Sequence, residues 1–178
     1  MARVAFISET YIKDNSFIDE NVDVNLLRSE ILDVQELRIL PILGTGLFDE
    51  LKTQITANTV TALNRTLLND YVKPALKFWV LFDSALIFTF KITNKSIYKK
   101  TAENSETVAT TDLDRIMDYC KIRAEFYSER ITKYLIQNCT SYPLYENSGD
   151  GYDTIHPNNN NYTQGIYLGV RKVNRKYD

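Results

Sequence analysis

A single histidine limits the chemistry open to this chain of 178 residues. His156 stands beside Pro157 in a polar stretch, with no second His and no suitably placed Cys, so neither a catalytic triad nor a zinc site can form around it. It reads as an ordinary solvated residue. Gly44-Thr45-Gly46 lacks the later glycine of a dinucleotide fingerprint, and no Lys-Ser/Thr pair follows as in a P-loop. Two glycines so placed read as a tight turn between helices. Asp112, Asp114 and Asp118 have metal-ligand chemistry, but a helix start explains them without a metal, because carboxylates there face unpaired N–H groups. Residues 147–153 resemble a calcium loop only loosely: Asp150 and Asp153 lack the spacing and the closing Glu. The expectation is no catalytic residue, no metal and no cofactor.

Binding is better provided for. Lys91, Lys95, Lys99 and Lys100 cluster around Tyr98 and have the chemistry to touch phosphates, although Glu103 and Glu106 dilute the patch. Lys95, Tyr98, Lys99 and Lys100 are the candidate loop contacts, with a solvated loop as the plainer reading. Near the C-terminus, Ile166, Tyr167 and Leu168 precede Arg171, Lys172, Arg175 and Lys176. β-branched and aromatic residues followed by bases suit a strand that orders on an acidic partner. These seven are the candidate partner interface.

Charge is distributed unevenly. The net charge is −2, yet residues 1–50 hold ten acids against four bases, and residues 164–178 hold four bases against Asp178. Opposite ends of opposite sign suit head-to-tail contacts between subunits, with solvated surface as the plainer alternative. Two cysteines make no disulfide framework, and Cys120 falls on an apolar stripe, as a reduced thiol would. Synthesis in a cytosol is the natural inference. No run of eighteen apolar residues occurs, so no membrane partner is expected.

The elements that must position these residues are helical. Periodicity predicts helices over residues 23–40, 47–55, 61–90 and 112–138, in an antiparallel bundle with the third helix central. Asp23 and Thr61 or Thr59 are the predicted N-caps of the first and third, and Thr111 that of the last. Pro41 should stop or bend the first helix, and Pro74 should kink or divide the third. Phe78 and Phe82 join the third helix's buried repeat. The last helix should bury Leu113, Ile116, Cys120, Ala124, Tyr127, Ile131 and Tyr134. Residues 93–111 read as a long loop, within which the pattern admits a hairpin over residues 91–98. The fold class expected is all-α, with room for short β-segments. It divides into an extended N-terminal arm (1–22), a helical domain (23–145) and a C-terminal arm (146–178). Residues 146–163 would span roughly 60 Å if extended at about 3.3 Å per residue.

Two stretches carry a family resemblance. Ile39-Leu40-Pro41-Ile42-Leu43-Gly44-Thr45-Gly46-Leu47-Phe48-Asp49-Glu50-Leu51 resembles a signature of small head–tail adaptor proteins from tailed bacteriophages of Bacteroidetes hosts, including the crAss-like phages. Asp70-Tyr71-Val72-Lys73-Pro74-Ala75-Leu76, with Trp79 and then Thr93-Asn94-Lys95, looks like the same family's second block. Together they cover roughly residues 20–140. Ser96 stands where that pattern has Gly. The resemblance implies a structural virion protein, not an enzyme: a homo-oligomeric connector ring below the portal that lines the DNA channel. Its implied partners are the portal, adjacent tail or ring proteins and, non-specifically, packaged DNA. Its place would be the head–tail junction, after assembly in the host cytoplasm. A different tail-completion protein, or a soluble regulatory binding module, is the alternative.

Overall fold

The computed structural model describes residues 3–18, 21–92, 97–99, 110–149 and 151–158. Its helices, in chain order, are α1 (Glu9–Asp14), α2 (Val24–Val34), α3 (Leu40–Leu43), α4 (Thr45–Thr56), α5 (Ala62–Thr66), α6 (Lys73–Thr89), α7 (Thr110–Gln137) and α8 (Pro143–Glu146). Phe90–Ile92 (β1) and Ile97–Lys99 (β2) form a short antiparallel ladder in which Lys91 faces Tyr98. The fold is all-α apart from this ladder.

Local chemistry sets most helix ends. Asp23 accepts from the N–H groups of Asn25 and Leu26, and Thr61 from that of Asn64, so both N-caps satisfy donors the helix cannot. At the end of α4 the left-handed Asn58 (φ 54°) lets Thr59 N–H reach the Gln54 carbonyl and Asn58 N–H the Ile55 carbonyl. Those two bonds close a Schellman turn. Thr111 does not cap α7, because the helix already begins at Thr110.

Neither interior proline ends its helix. Pro41 follows a π-helical turn, Gln35–Ile39, and Pro74 follows another, Leu67–Val72. In each case the residue just before the proline donates five residues back: Leu40 N–H to the Gln35 carbonyl, Lys73 N–H to the Leu68 carbonyl. A proline in an ordinary helix lacks a donor and crowds the preceding turn. The wider turn relieves that crowding, so the chain stays helical from Val24 to Leu43 and from Ala62 to Thr89.

α6 and α7 run antiparallel along the centre. Tyr71 stacks on Tyr134, Phe78 on Tyr127, and Trp79 Nε1 donates to Ser128 Oγ at 2.9 Å, so partners descend along one helix as they ascend the other. Leu27, Ile31, Ile39, Leu43, Leu47, Leu51, Leu67, Leu76, Ile131 and Leu135 are fully enclosed around this pair. Phe78 and Phe82 are half-buried rather than interior, because Lys77 and Arg38 lie against their rings and leave one side near solvent.

The N-terminal arm needs correcting. Phe6, Ile7 and Ile12 belong to the core, and α1 is capped by Ser8, whose hydroxyl accepts from Tyr11 N–H. Gln35, itself buried, holds the segment in place: its amide oxygen accepts from Phe6 N–H at 2.7 Å and its amide nitrogen donates to the Val4 carbonyl at 2.9 Å. One side chain thus supplies the pairing a neighbouring strand would give. Part of the expected C-terminal arm also packs back onto the domain, through Ser148, Ile155, Pro157 and Asn158.

Candidate functional site

Among the described residues the sequence-derived candidates do not gather. His156 is exposed, as are Asp112, Asp114 and Asp118, with Asp112 facing Arg115 at 3.6 Å. Among the described residues no group of three His, Cys, Asp or Glu could hold a metal ion. Tyr98 and Lys99 lie on β2, opposite Lys91 and Phe90. Lys95, Lys100, Ile166, Tyr167, Leu168, Arg171, Lys172, Arg175 and Lys176 fall outside the described residues. No helix among those described is long and apolar enough to cross a membrane.

What the structure does assemble is a closure over the glycine turn. Gly44 has φ 75° and ψ 156°, a backbone region open essentially to glycine alone. A Cβ on Gly44 would meet Ser148 Oγ at 2.6 Å and Pro157 Cδ at 2.7 Å. One on Gly46 would meet the Leu144 carbonyl and Ser148 Cα, each at 3.0 Å. Both glycines are therefore places where residues 144–157 lie directly on the backbone of the turn. Thr45 fastens them: its N–H donates to the Ile155 carbonyl and its hydroxyl accepts from Ile155 N–H, both at 2.9 Å. Asn158 N–H then reaches the Pro41 carbonyl. The strap (residues 148–149 and 151–158) is thus held at Ser148, Ile155, Pro157 and Asn158, which its polar composition does not reveal.

Beside the strap sits a tyrosine cluster. Tyr71 and Tyr134 stack with centroids 4.2 Å apart, and Tyr142 meets Tyr134 edge-on. The buried Tyr142 hydroxyl donates to the Leu63 carbonyl at 3.2 Å. Burial, and then its contact with Tyr134, push that hydroxyl well above the usual tyrosine range. Across the bundle, Arg38 spans Asp83 (3.2 Å) and the face of Trp79 (4.4 Å), which fixes the indole of the second resemblance block. These groups are saturated by one another. They make packing, and they leave no converging polar atoms for a substrate.

The opposite end of α7 is unsaturated. Ile116, assigned by its spacing to the buried stripe, is 40% exposed, and Tyr119, Ile122 and Phe126 are exposed beside it at 47%, 66% and 58%. Phe17, 63% exposed, closes a cleft of about 360 Å³ with Arg115, Ile116 and Tyr119. Residues 119, 122 and 126 share one helix face, on the far side from Cys120, Ala124 and Ile131. That second series was the signal available in the sequence; α7 carries two apolar stripes and only one is covered.

Among the described residues the fold is all-α apart from the short ladder, with an exposed apolar face on α7 and, on the N-terminal segment, a polar cleft of about 590 Å³ lined by Arg3, Ser8, Glu9, Tyr11, Arg28 and Lys73. The chain belongs to a family of unknown function (DUF6712), whose model matches residues 39–155. The match begins at the Pro41 block and ends on Ile155, the residue that fastens the strap to Thr45. No curated protein and no solved structure matches the chain.

Proposed function

We propose that this chain is a structural subunit of a bacteriophage head–tail connector, forming a ring below the portal that lines the DNA channel, without catalytic activity. The observation that carries the reading is the adaptor-like pair of blocks, residues 39–51 and 70–79. Both serve the fold: the first forms the glycine turn beneath the strap, and the second carries a π-helical turn, Pro74 and the Arg38–Trp79 contact. A structural subunit asks for such a rigid body, which presents surfaces to its neighbours. Its partners would be further copies of itself, the portal and the next tail component, and its place the virion.

Co-expression with the portal of the same phage tests this. The expected result is a portal-bound ring of this chain, visible by electron microscopy, with the chain present in many copies per purified particle. Its absence from particles, or a chain that stays apart from the portal at all concentrations, would refute the reading.

A further inference from the structure

The apolar face of α7 has a cleft at one end. Phe17, Ile116 and Tyr119 line it with Arg115, and Ile122 and Phe126 continue the face beyond. Five large apolar side chains exposed together on one side of a small domain mark an interaction surface. Its border is acidic: Asp112, Asp114 and Asp118 are exposed on α7, and Asp14 is exposed three residues before Phe17. Arg115 is paired with Asp112, Lys121 with Glu125, and Arg123 lies over the Tyr119 ring, so five acids (Asp14, Asp112, Asp114, Asp118 and Glu125) meet three bases and the border is negative by a small margin.

We infer that this cleft and face receive the Ile166-Tyr167-Leu168 segment of a second copy of this chain, with Arg171, Lys172, Arg175 and Lys176 of that copy meeting the acidic border. The inference rests on the ring reading above and names its contact. Charge supports it: residues 164–178 carry four bases and one acid. Chain length supports it too. The strap ends at Asn158, bonded to the Pro41 carbonyl. Residues 159–165 can then extend about 23 Å at ~3.3 Å per residue. A domain of this size has a radius of gyration of about 15–16 Å, so from an attachment at the surface an extension of about 23 Å carries the apolar block far enough to reach a neighbour. Each copy offers one tail and one cleft, so the contact is heterologous and repeats around a ring.

Pairwise cross-linking in the full-length chain decides it. One variant carries Phe126→Cys and another Tyr167→Cys, both with Cys139→Ser, and the two are mixed and oxidised; Cys120 is buried. The expected result is a disulfide between the two variants, in excess of either self-pair. Reversing the four tail bases to Glu should lower its yield roughly tenfold at low salt and much less at high salt, because screening already weakens the attraction there. Absence of the mixed cross-link overturns the inference. So does a cross-link confined to single chains carrying both cysteines, which would seat the tail on its own domain. Rings on the portal without the cross-link would sink this contact and spare the adaptor reading, while a cross-link in chains that never bind the portal would do the reverse.

Discussion

The two ends of α7 both carry large apolar and aromatic residues and have opposite fates. Toward its C-terminus, Tyr134 meets Tyr71 and Tyr142 and Leu135 is wholly enclosed, although Ile136 keeps 37% of its surface exposed. Toward its N-terminus, Tyr119 and Ile122 face outward, as does Phe126 just past the middle, and at the adjoining end of α6 Leu86 and Ile87 are exposed as well. Composition does not separate the ends. Long-range partners do: at the closed end, segments more than eighty residues apart in the chain (the glycine turn and the strap) lie one on the other. At the open end, among the described residues, Phe17 reaches across from the N-terminal segment. The closed end carries stability, and the open end is free to carry association.

The largest test of that division is Leu135→Ala. The side chain is fully buried, so its removal leaves a cavity and should cost about 2–5 kcal/mol in a urea titration. A cost under about 1 kcal/mol would mean that the closed end is loosely packed. Next comes Gly44→Ala. A residue with a Cβ in this backbone region costs about 1–3 kcal/mol on conformation alone, and the added methyl must also displace Ser148 and Pro157. Limited proteolysis should then cut within the strap residues while α6 and α7 stay protected.

How much of this was legible beforehand follows from the range of the interactions. Asp23 and Thr61 announced their helices because an N-cap is a contact across two or three residues. Cys120, Ala124 and Ile131 were readable as a buried stripe because helical period is local. The prolines were readable as interruptions of the regular α-helix, but not that the chain passes through them by a π-helical turn, which is a choice of bonding partner five residues back and leaves no mark in the period. The N-terminal segment passed for an arm because its anchor is one distant polar side chain, Gln35. The strap passed for a flexible spacer because its Asn, Ser and Gly residues have no apolar period, although two glycines elsewhere leave it the space to lie down. Of the candidate site, the glycine turn was visible as a turn, and the outer face of α7 was overlooked because its members were counted with the buried stripe or left unassigned.

A smaller effect probes the tyrosine cluster. Tyr142→Phe removes one hydrogen bond to the Leu63 carbonyl and should cost about 0.5–1.5 kcal/mol. It should also change the alkaline limb of stability. The Tyr142 hydroxyl titrates well above its unfolded value near 10, so the folded form holds its proton where the unfolded form has lost it. Stability from this group is therefore complete below about pH 10 and declines as pH rises beyond it. Thermal melts between pH 9 and 11 should show a shallower decline in the Phe variant than in the parent. An identical slope would mean that the hydroxyl is less enclosed than its contacts indicate.

The smallest expected effect on stability is also the sharpest test of the comparison. Ile122 and Phe126 project from the same helix as Leu135, at 66% and 58% exposure. Replacing an exposed apolar residue removes little transfer free energy, because most of its surface was never withdrawn from water. Ile122→Ser with Phe126→Ser should therefore shift the unfolding free energy by no more than about 0.5 kcal/mol per site, part of it from the lower helix propensity of Ser. Binding of a hydrophobic dye to the folded chain should fall, since two of the five residues that make the outer face apolar are gone. Weak self-association, followed by sedimentation over a range of concentrations, should fall with it. A loss of several kcal/mol would show that the outer face is core by another route and that the two ends of α7 do not differ in role. Unchanged association with unchanged stability would place the contact between copies elsewhere on the domain.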